Sequence, residues 1–328
     1  MFRKLVLFAT GLAFFVVVIG AYVRLEDAGL GCPDWPGCYG HLVGVPDQAH
    51  EMVKAEESFG RQVDVGRAWK EMFHRYVAGT LGLLILAIAV LAWRKRETLQ
   101  QSPFLASSLV ALVALQAALG MWTVTLLLKP VIVTLHLLGG MATLGLLALL
   151  ALRQWSPDRS GGPGAPRRLR PWAALGLVIV ILQIALGGWV STNYAALACV
   201  DFPTCHGEWL PQLDFRHAFQ FVRELGMTAA GTPLPYEALT TIHWTHRAGA
   251  LVTLAYVGGL AFAVLRTRGL ARHGALLLAV LLLQVGLGIA NVVMSLPLQL
   301  AAAHNAGAAL LLILLIMLNF VLFQRSAK

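Results

Sequence analysis

Residues 20–40 read GAYVRLEDAGLGCPDWPGCYG, and residues 187–207 read GGWVSTNYAALACVDFPTCHG. At a shift of 167, Gly20, Val23, Cys32, Asp34, Pro36, Cys38 and Gly40 fall on Gly187, Val190, Cys199, Asp201, Pro203, Cys205 and Gly207, while Trp35 falls on Phe202. The match continues outward. At a shift of 172, His74-Arg75 falls on His246-Arg247; at 168, Gln116, Gly120, His136 and Gly139 fall on Gln284, Gly288, His304 and Gly307. Three blocks in one order, with small changes of offset, indicate a tandem duplication, and an internal repeat decides an architecture.

The duplicated unit belongs in a membrane. Of the 328 residues, 58% are hydrophobic and only 12% charged, against about 25% charged in a soluble domain. Stretches of roughly 20 apolar residues, enough to cross about 30 Å of hydrocarbon, fall near 5–24, 74–93, 104–127, 131–152, 172–190, 240–265, 273–293 and 299–323. Residues 131–152 follow Pro130 with almost no loop, and 240–265 opens with polar residues. The expected fold is an all-α integral membrane protein with eight transmembrane helices. They form two tandem four-helix bundles, 1–152 and 172–328, joined by a linker over 153–171 whose middle is SPDRSGGPGAPRR. Four spans per unit make the repeats parallel, related by a pseudo-two-fold axis along the membrane normal.

The net charge of +9 is a topology signal, not a sign of a nucleic-acid partner. Arg3 and Lys4, Arg94 to Arg96, the group Arg153, Arg159, Arg167, Arg168 and Arg170, then Arg266, Arg268 and Arg272, and finally Arg325 and Lys328 occupy alternate connections. Of the 16 acids only Glu97 and Asp158 share them. The positive-inside rule then places both termini in the cytoplasm. The first span shows no small-residue cleavage site and reads as a retained helix. No Ser/Arg-rich transit segment precedes it, so a bacterial plasma membrane fits better than a mitochondrial one.

All four cysteines fall in the long outward connections, where neighbouring thiols usually oxidise. Cys32 and Cys38 are six apart, as are Cys199 and Cys205. Both pairs read as structural clips, and the first also as a redox-active pair.

Ionisable residues within spans mark function by default. His74, His136, His243, His246 and His304 lie in or at the edge of spans, whereas His41, His50, His206, His217 and His273 read as loop or interface residues. His74 and His246 open the second span of each half, and His136 and His304 lie about five residues into the fourth, so all four stand near the outer face. Inward-facing side chains of a four-helix bundle can hold a cofactor, and two imidazoles are a common haem ligation. The pairs would be His74 with His136 and His246 with His304. A closed zinc site wants four ligands, so zinc or copper would need His243, the Glu71 carboxylate or the thiols in addition, and the thiols lie outside the helices. Porphyrin supplies four nitrogens of its own, which favours haem. Gly79, Gly139, Gly140, Gly249 and Gly307 would leave room for the macrocycle, or serve helix packing.

Arg75 and Arg247 follow the first histidines; they suit haem propionates or snorkel to outer headgroups. The halves differ at one turn. Glu71 stands three residues before His74 and His243 three before His246, a spacing that shares a helix face. Glu71 reads either as a proton acceptor at a reactive site or as a solvated Glu at a helix start.

GLGCPDWPGCYG, EMFHRYVAGTLG, VTLHLLGG, IHWTHRAGAL and AAAHNAGAALLL together resemble haem A synthase over nearly the whole chain. The resemblance implies oxidation of the C8 methyl of haem O to a formyl group, in two successive steps through an alcohol and a hydrated aldehyde, to make haem A for terminal oxidases. It implies a resident haem b on His246 and His304, substrate haem O approached by His74 and His136, Glu71 as the acidic residue of the substrate site, and functional roles for the loop cysteines. Haem O synthase, terminal-oxidase assembly and membrane lipid are the implied partners. The same four histidines also suit a dihaem b-type cytochrome passing electrons between quinone and an outer partner. Parallel repeats occur in transporters too, but there the sites lie mid-membrane in broken helices.

Overall fold

The computed structural model describes residues 1–99, 102–155 and 166–324. The linker middle with Asp158 and Arg159, and also Arg325 and Lys328, lie outside these. In chain order the helices are α1 (Phe2–Leu25), α2 (Ala49–Phe59), α3 (Val65–Arg94), the single turn α4 (Arg96–Leu99), α5 (Phe104–Thr125), α6 (Pro130–Trp155), α7 (Arg170–Thr192), the single turn α8 (Phe215–Ala218), α9 (Tyr236–Leu265), α10 (Ala271–Val293) and α11 (Leu298–Phe323). Eight are long and apolar enough to cross a membrane, one for each expected span, and the described residues contain no strand.

The largest departure from the sequence reading is at α3, which begins at Val65 instead of 74. Asp64 caps it, its side chain accepting from the Arg67 N–H at 3.0 Å, and the polar first turns bury Ala68, Glu71 and Met72. At about 1.5 Å per residue, its 30 residues span about 45 Å, well beyond the ~30 Å of hydrocarbon. His74 is the tenth residue of α3, and His246 the eleventh of α9. Neither opens its helix, as the hydropathy edge had suggested. A second helix unmarked by hydropathy, α2, starts at a capping box formed by Gln48 and Glu51 and stops at the left-handed Gly60.

α1, α3, α5 and α6 pack into a closed ring, and α7, α9, α10 and α11 into another. The rings meet where α1 packs on α11, α6 on α7, and α6 on α11. Lipid offers no hydrophobic drive to association, so close approach through small residues carries such contacts. A Cβ on Gly145 would stand 2.8 Å from Ile316 across α6 and α11, and one on Gly188 2.8 Å from Leu137 across α7 and α6. At the end of the rings that carries the cysteine loops, Arg24 donates to the Ser191 carbonyl at 2.9 Å and lies 3.9 Å over the Tyr194 ring, whose hydroxyl donates to Asp27 at 2.9 Å. A cavity of about 700 Å³ is lined by α6, α7 and α11 where they meet.

The short connection before α6 is a real turn. Leu127 and Leu128 take φ of 49° and 57°, and Ser295 and Leu296, before α11, take 58° and 63°. The loops that carry the cysteines form two apolar caps. One gathers Cys32, Cys38, Tyr39, Val45, Ala55, Val63, Ala68 and Met72; the other gathers Trp189, Val190, Ala195, Ala218, Ala238 and Ile242.

Candidate functional site

In the first ring, α3 and α6 stand on one diagonal, and in the second so do α9 and α11. These helices carry the four histidines. His74 and His136 lie within electrostatic reach of each other, as do His246 and His304. Each imidazole rests on a bare patch of the neighbouring helix. A Cβ on Gly20 would meet His74 Cε1 at 3.0 Å and one on Gly187 would meet His246 Cε1 at 3.0 Å. On Gly120 it would meet His136 Cε1 at 3.4 Å, and on Gly288 His304 Cε1 at 3.1 Å.

These are not the glycines expected from sequence to make room. Gly139, Gly249 and Gly307 are covered by the amides of Gln116, Gln183 and Gln284, whereas a Cβ on Gly79 would meet nothing within 4 Å and one on Gly140 only Val17 at 3.7 Å, so these two do leave space. The three amides fill notches that the sequence suggested were open. Gln183 was missed. Its signal was a lone amide inside the apolar run VIVILQIALGG, since a polar side chain in a span seeks a partner on another helix. Gln183 Nε2 lies 3.0 Å from His246 Nδ1 and donates to the His246 carbonyl at 2.9 Å. The Nδ1 atoms of His74, His136 and His304 are buried without a hydrogen-bond partner.

Glu71 and His243 point away from the rings into the cysteine loops. Both are 5% exposed. Glu71 Oε2 accepts from the Cys32 N–H at 2.9 Å, and Oε1 accepts from Arg75. His243 Nδ1 lies 3.3 Å from the Cys199 nitrogen, with Arg247 Nε 3.3 Å from its Nε2. The two arginines clamp the same loops. Arg75 donates to the carbonyls of Asp34 at 3.0 Å and Gly37 at 2.5 Å, and Arg247 to those of Asp201 at 2.9 Å, Thr204 at 2.9 Å and Cys199 at 2.7 Å.

Cys32 is bonded to Cys38 and Cys199 to Cys205, with Cα atoms 4.8 and 4.9 Å apart. All four sulfur-bearing residues are buried. Inside each loop an aspartate closes the turn. Asp34 accepts from the Tyr39 and Gly40 N–H groups at 2.6 and 2.8 Å, and Asp201 from those of His206 and Gly207 at 2.7 and 2.9 Å. The Thr204 hydroxyl and these amide donors hold the Asp201 carboxyl well below its ordinary range. Tyr39 and His206 take positive φ, at 51° and 57°, and the next residue is Gly40 or Gly207, at 80° and 78°. A non-glycine residue in that region is uncommon, and the aspartate bonds over-determine it here.

Among the described residues no three His, Cys, Asp or Glu side chains converge as a metal site. A ligand that brings its own equatorial donors needs only the two opposed imidazoles of one ring.

Residues 3–316 match the COX15-CtaA family, described as cytochrome oxidase assembly protein. The chain is 44% identical over 314 residues to "Heme A synthase" of Shewanella oneidensis, covering 95% of this chain and 94% of that protein. It is 29% identical to "Heme A synthase" of a Caulobacter species, over 92% of this chain and 90% of the relative. A third "Heme A synthase", from Halalkalibacterium halodurans, is 26% identical over 75% of this chain and 78% of its own. With the family match running through both rings and all four ring histidines, the chain belongs to the COX15-CtaA family of cytochrome oxidase assembly proteins.

Proposed function

We propose that this protein is a haem A synthase: a membrane oxidoreductase acting on a CH group, which converts the C8 methyl of haem O to a formyl group. In this reading the 172–328 half holds a resident haem b between His246 and His304, and the 1–152 half presents His74 and His136 to the substrate. The carrying observation is the opposition of two histidines on diagonal helices in each ring, each beside a ring-facing glycine. The unpartnered Nδ1 atoms of His74, His136 and His304 fit this too, because they are donors or acceptors left over for a bound group. The arrangement of α1, α11, α6 and α7 at the junction supports a two-fold relation between the halves.

A haem b in the C-terminal half would supply a one-electron relay. Oxidation of the methyl also needs an electron acceptor and an oxygen source from outside the chain; the chain's own residues position the substrate and take the proton. Taking hydrogen from a methyl carbon requires a proton acceptor, and Glu71 is the carboxylate one turn from His74. Its two oxygens are held by Cys32 N–H and Arg75, so its position is set before substrate arrives. The apolar outer surface admits a prenylated substrate sideways from lipid, with the basic connections at the cytoplasmic end and both loops outside. Haem O synthase and terminal-oxidase assembly are the partners this reading implies.

Haem extraction and pyridine spectra of the purified protein, made with and without co-produced haem O synthase, test the proposal. Haem B alone, then haem B with O, a hydroxylated intermediate or A, is expected. An unchanging pair of b haems under both conditions would instead identify a dihaem cytochrome, the reading that the likeness of the two histidine sites favours.

A further inference from the structure

The four ring histidines sit in four copies of one contact, and one copy is broken. In three, a helix bearing Gln-x-x-x-Gly faces a helix bearing His-x-x-Gly: Gln116 and Gly120 against His136 and Gly139, Gln183 and Gly187 against His246 and Gly249, and Gln284 and Gly288 against His304 and Gly307. The imidazole lies on the first glycine, and the amide fills the notch of the second. In the fourth, Val16 and Gly20 face His74 and Val77. Gly20 still carries the ring, but the amide and its notch are both replaced by valine. The two changes belong together, since a Cβ at position 77 would occupy the space the amide needs.

The consequence is physical. An amide wedged beside an imidazole restricts ring rotation and offers it a hydrogen bond. Gln183 lies 3.0 Å from His246 Nδ1, and Gln284 Nε2 lies 3.4 Å from His304 Nε2. Which amide atom faces the ring follows from which ring nitrogen carries hydrogen. Gln116 covers Gly139, its Nε2 buried without a partner. For His74 nothing polar takes that place: Val16 stands where the other three contacts have glutamine, and an unpartnered Nδ1 is common to His74, His136 and His304. Outer-shell partners orient a metal-bound histidine, and losing one typically costs about 10–100-fold in affinity.

We infer that the Gln/Gly clamp fixes His136, His246 and His304, and that its absence makes His74 the releasing ligand, the side from which substrate enters and product leaves. The C-terminal site, clamped on both sides, retains its haem; the N-terminal site, clamped on one, exchanges it. Gln183 and Gly249 are thus positioning residues. The inference rests on the assignment of resident and substrate halves proposed above.

Three full-length variants test it. Gln183→Met keeps the side-chain length and removes the amide. It should release haem b to apomyoglobin roughly tenfold faster or more and shift the reduction potential and low-spin spectrum of that haem. Val16→Gln with Val77→Gly installs the missing clamp, and haem O or its product should then co-purify with the N-terminal half in higher yield while turnover falls. The unaltered haem b of that variant reports that the chain has folded. Wild-type release rate, potential and spectrum in Gln183→Met would overturn the clamp, as would unchanged haem retention in the installed variant. His246→Ala separates the two readings: if it keeps its haem b, the assignment of halves fails; if it loses it while Gln183→Met is unchanged, only the clamp fails.

Discussion

Glu71 and His243 hold the same post against the two cysteine loops. Glu71 accepts from the Cys32 N–H and from Arg75, whereas His243 has the Cys199 nitrogen beside Nδ1 and Arg247 Nε beside Nε2. A carboxylate accepts both bonds at once, whereas a neutral imidazole carries one acceptor nitrogen and one N–H. The first loop is therefore held by a charge-assisted pair and the second by a weaker, single-acceptor contact. Within the proposed function, the residue offered as proton acceptor is also a loop anchor, and the two roles need separating.

Glu71→His copies the second-half arrangement into the first half. We expect the variant to keep Cys32–Cys38 oxidised and to retain haem b, with conversion of haem O stalled. Thiol titration and haem extraction measure the two effects. Full haem A production would remove Glu71 from proton transfer and leave it as an anchor. Glu71→Ala should be worse on both counts, because Arg75 would lose its carboxylate in a buried setting; breaking such a pair costs about 3–5 kcal/mol.

Alanine at His246 or His304 should empty the C-terminal half, with loss of the haem b spectrum from purified protein. Alanine at His74 or His136 should leave that spectrum in place and abolish product. Pyridine spectra of the four variants decide between the halves, and loss of resident haem from His74→Ala would reverse their assignment.

Cys199→Ser with Cys205→Ser should lower the apparent Tm in detergent without removing resident haem. Opening a cross-link between residues six apart costs about 2 kcal/mol on loop-entropy grounds. The aspartate turn and the Arg247 bonds keep the loop's shape. A variant with unchanged Tm would show that those bonds alone hold it.

The second loop should loosen in acid. The folded-state carboxyl of Asp201 is depressed by Thr204, Gly207 and His206, so its bonds stabilise the fold fully above the ordinary carboxyl value of 3.8. That contribution is lost as pH falls from there through the depressed value. Protease nicking between residues 199 and 210 should stay low at neutral pH and rise only in strong acid. Asp201→Asn should raise nicking at neutral pH and flatten the acid response; a flat profile in the unaltered protein would refute the assignment.

Hydropathy and repetition are local properties, and they were legible. Eight spans, the duplication, the four ring histidines and the cysteine spacing all appear in the linear order. Each depends on residues within one helix or one loop, or on comparing the chain with itself. The polar start of α3 was not legible, because its helical state depends on Ala68, Glu71 and Met72 packing under a loop some 30–40 residues away. Nor was the direction in which Glu71 and His243 point: three-residue spacing puts them on the histidine's face, but the loop N–H groups and arginines draw them outward.

What the sequence by itself determined is thus an eight-span duplicated membrane protein with paired intramembrane histidines. Which glycines lie under the rings, which carry amides, and why His74 alone lacks one were decided by the tertiary structure. The reason is that a notch and the side chain that fills it lie on different helices, 23 to 66 residues apart for the three Gln/Gly pairs, and no pattern along one helix records which neighbour it will meet.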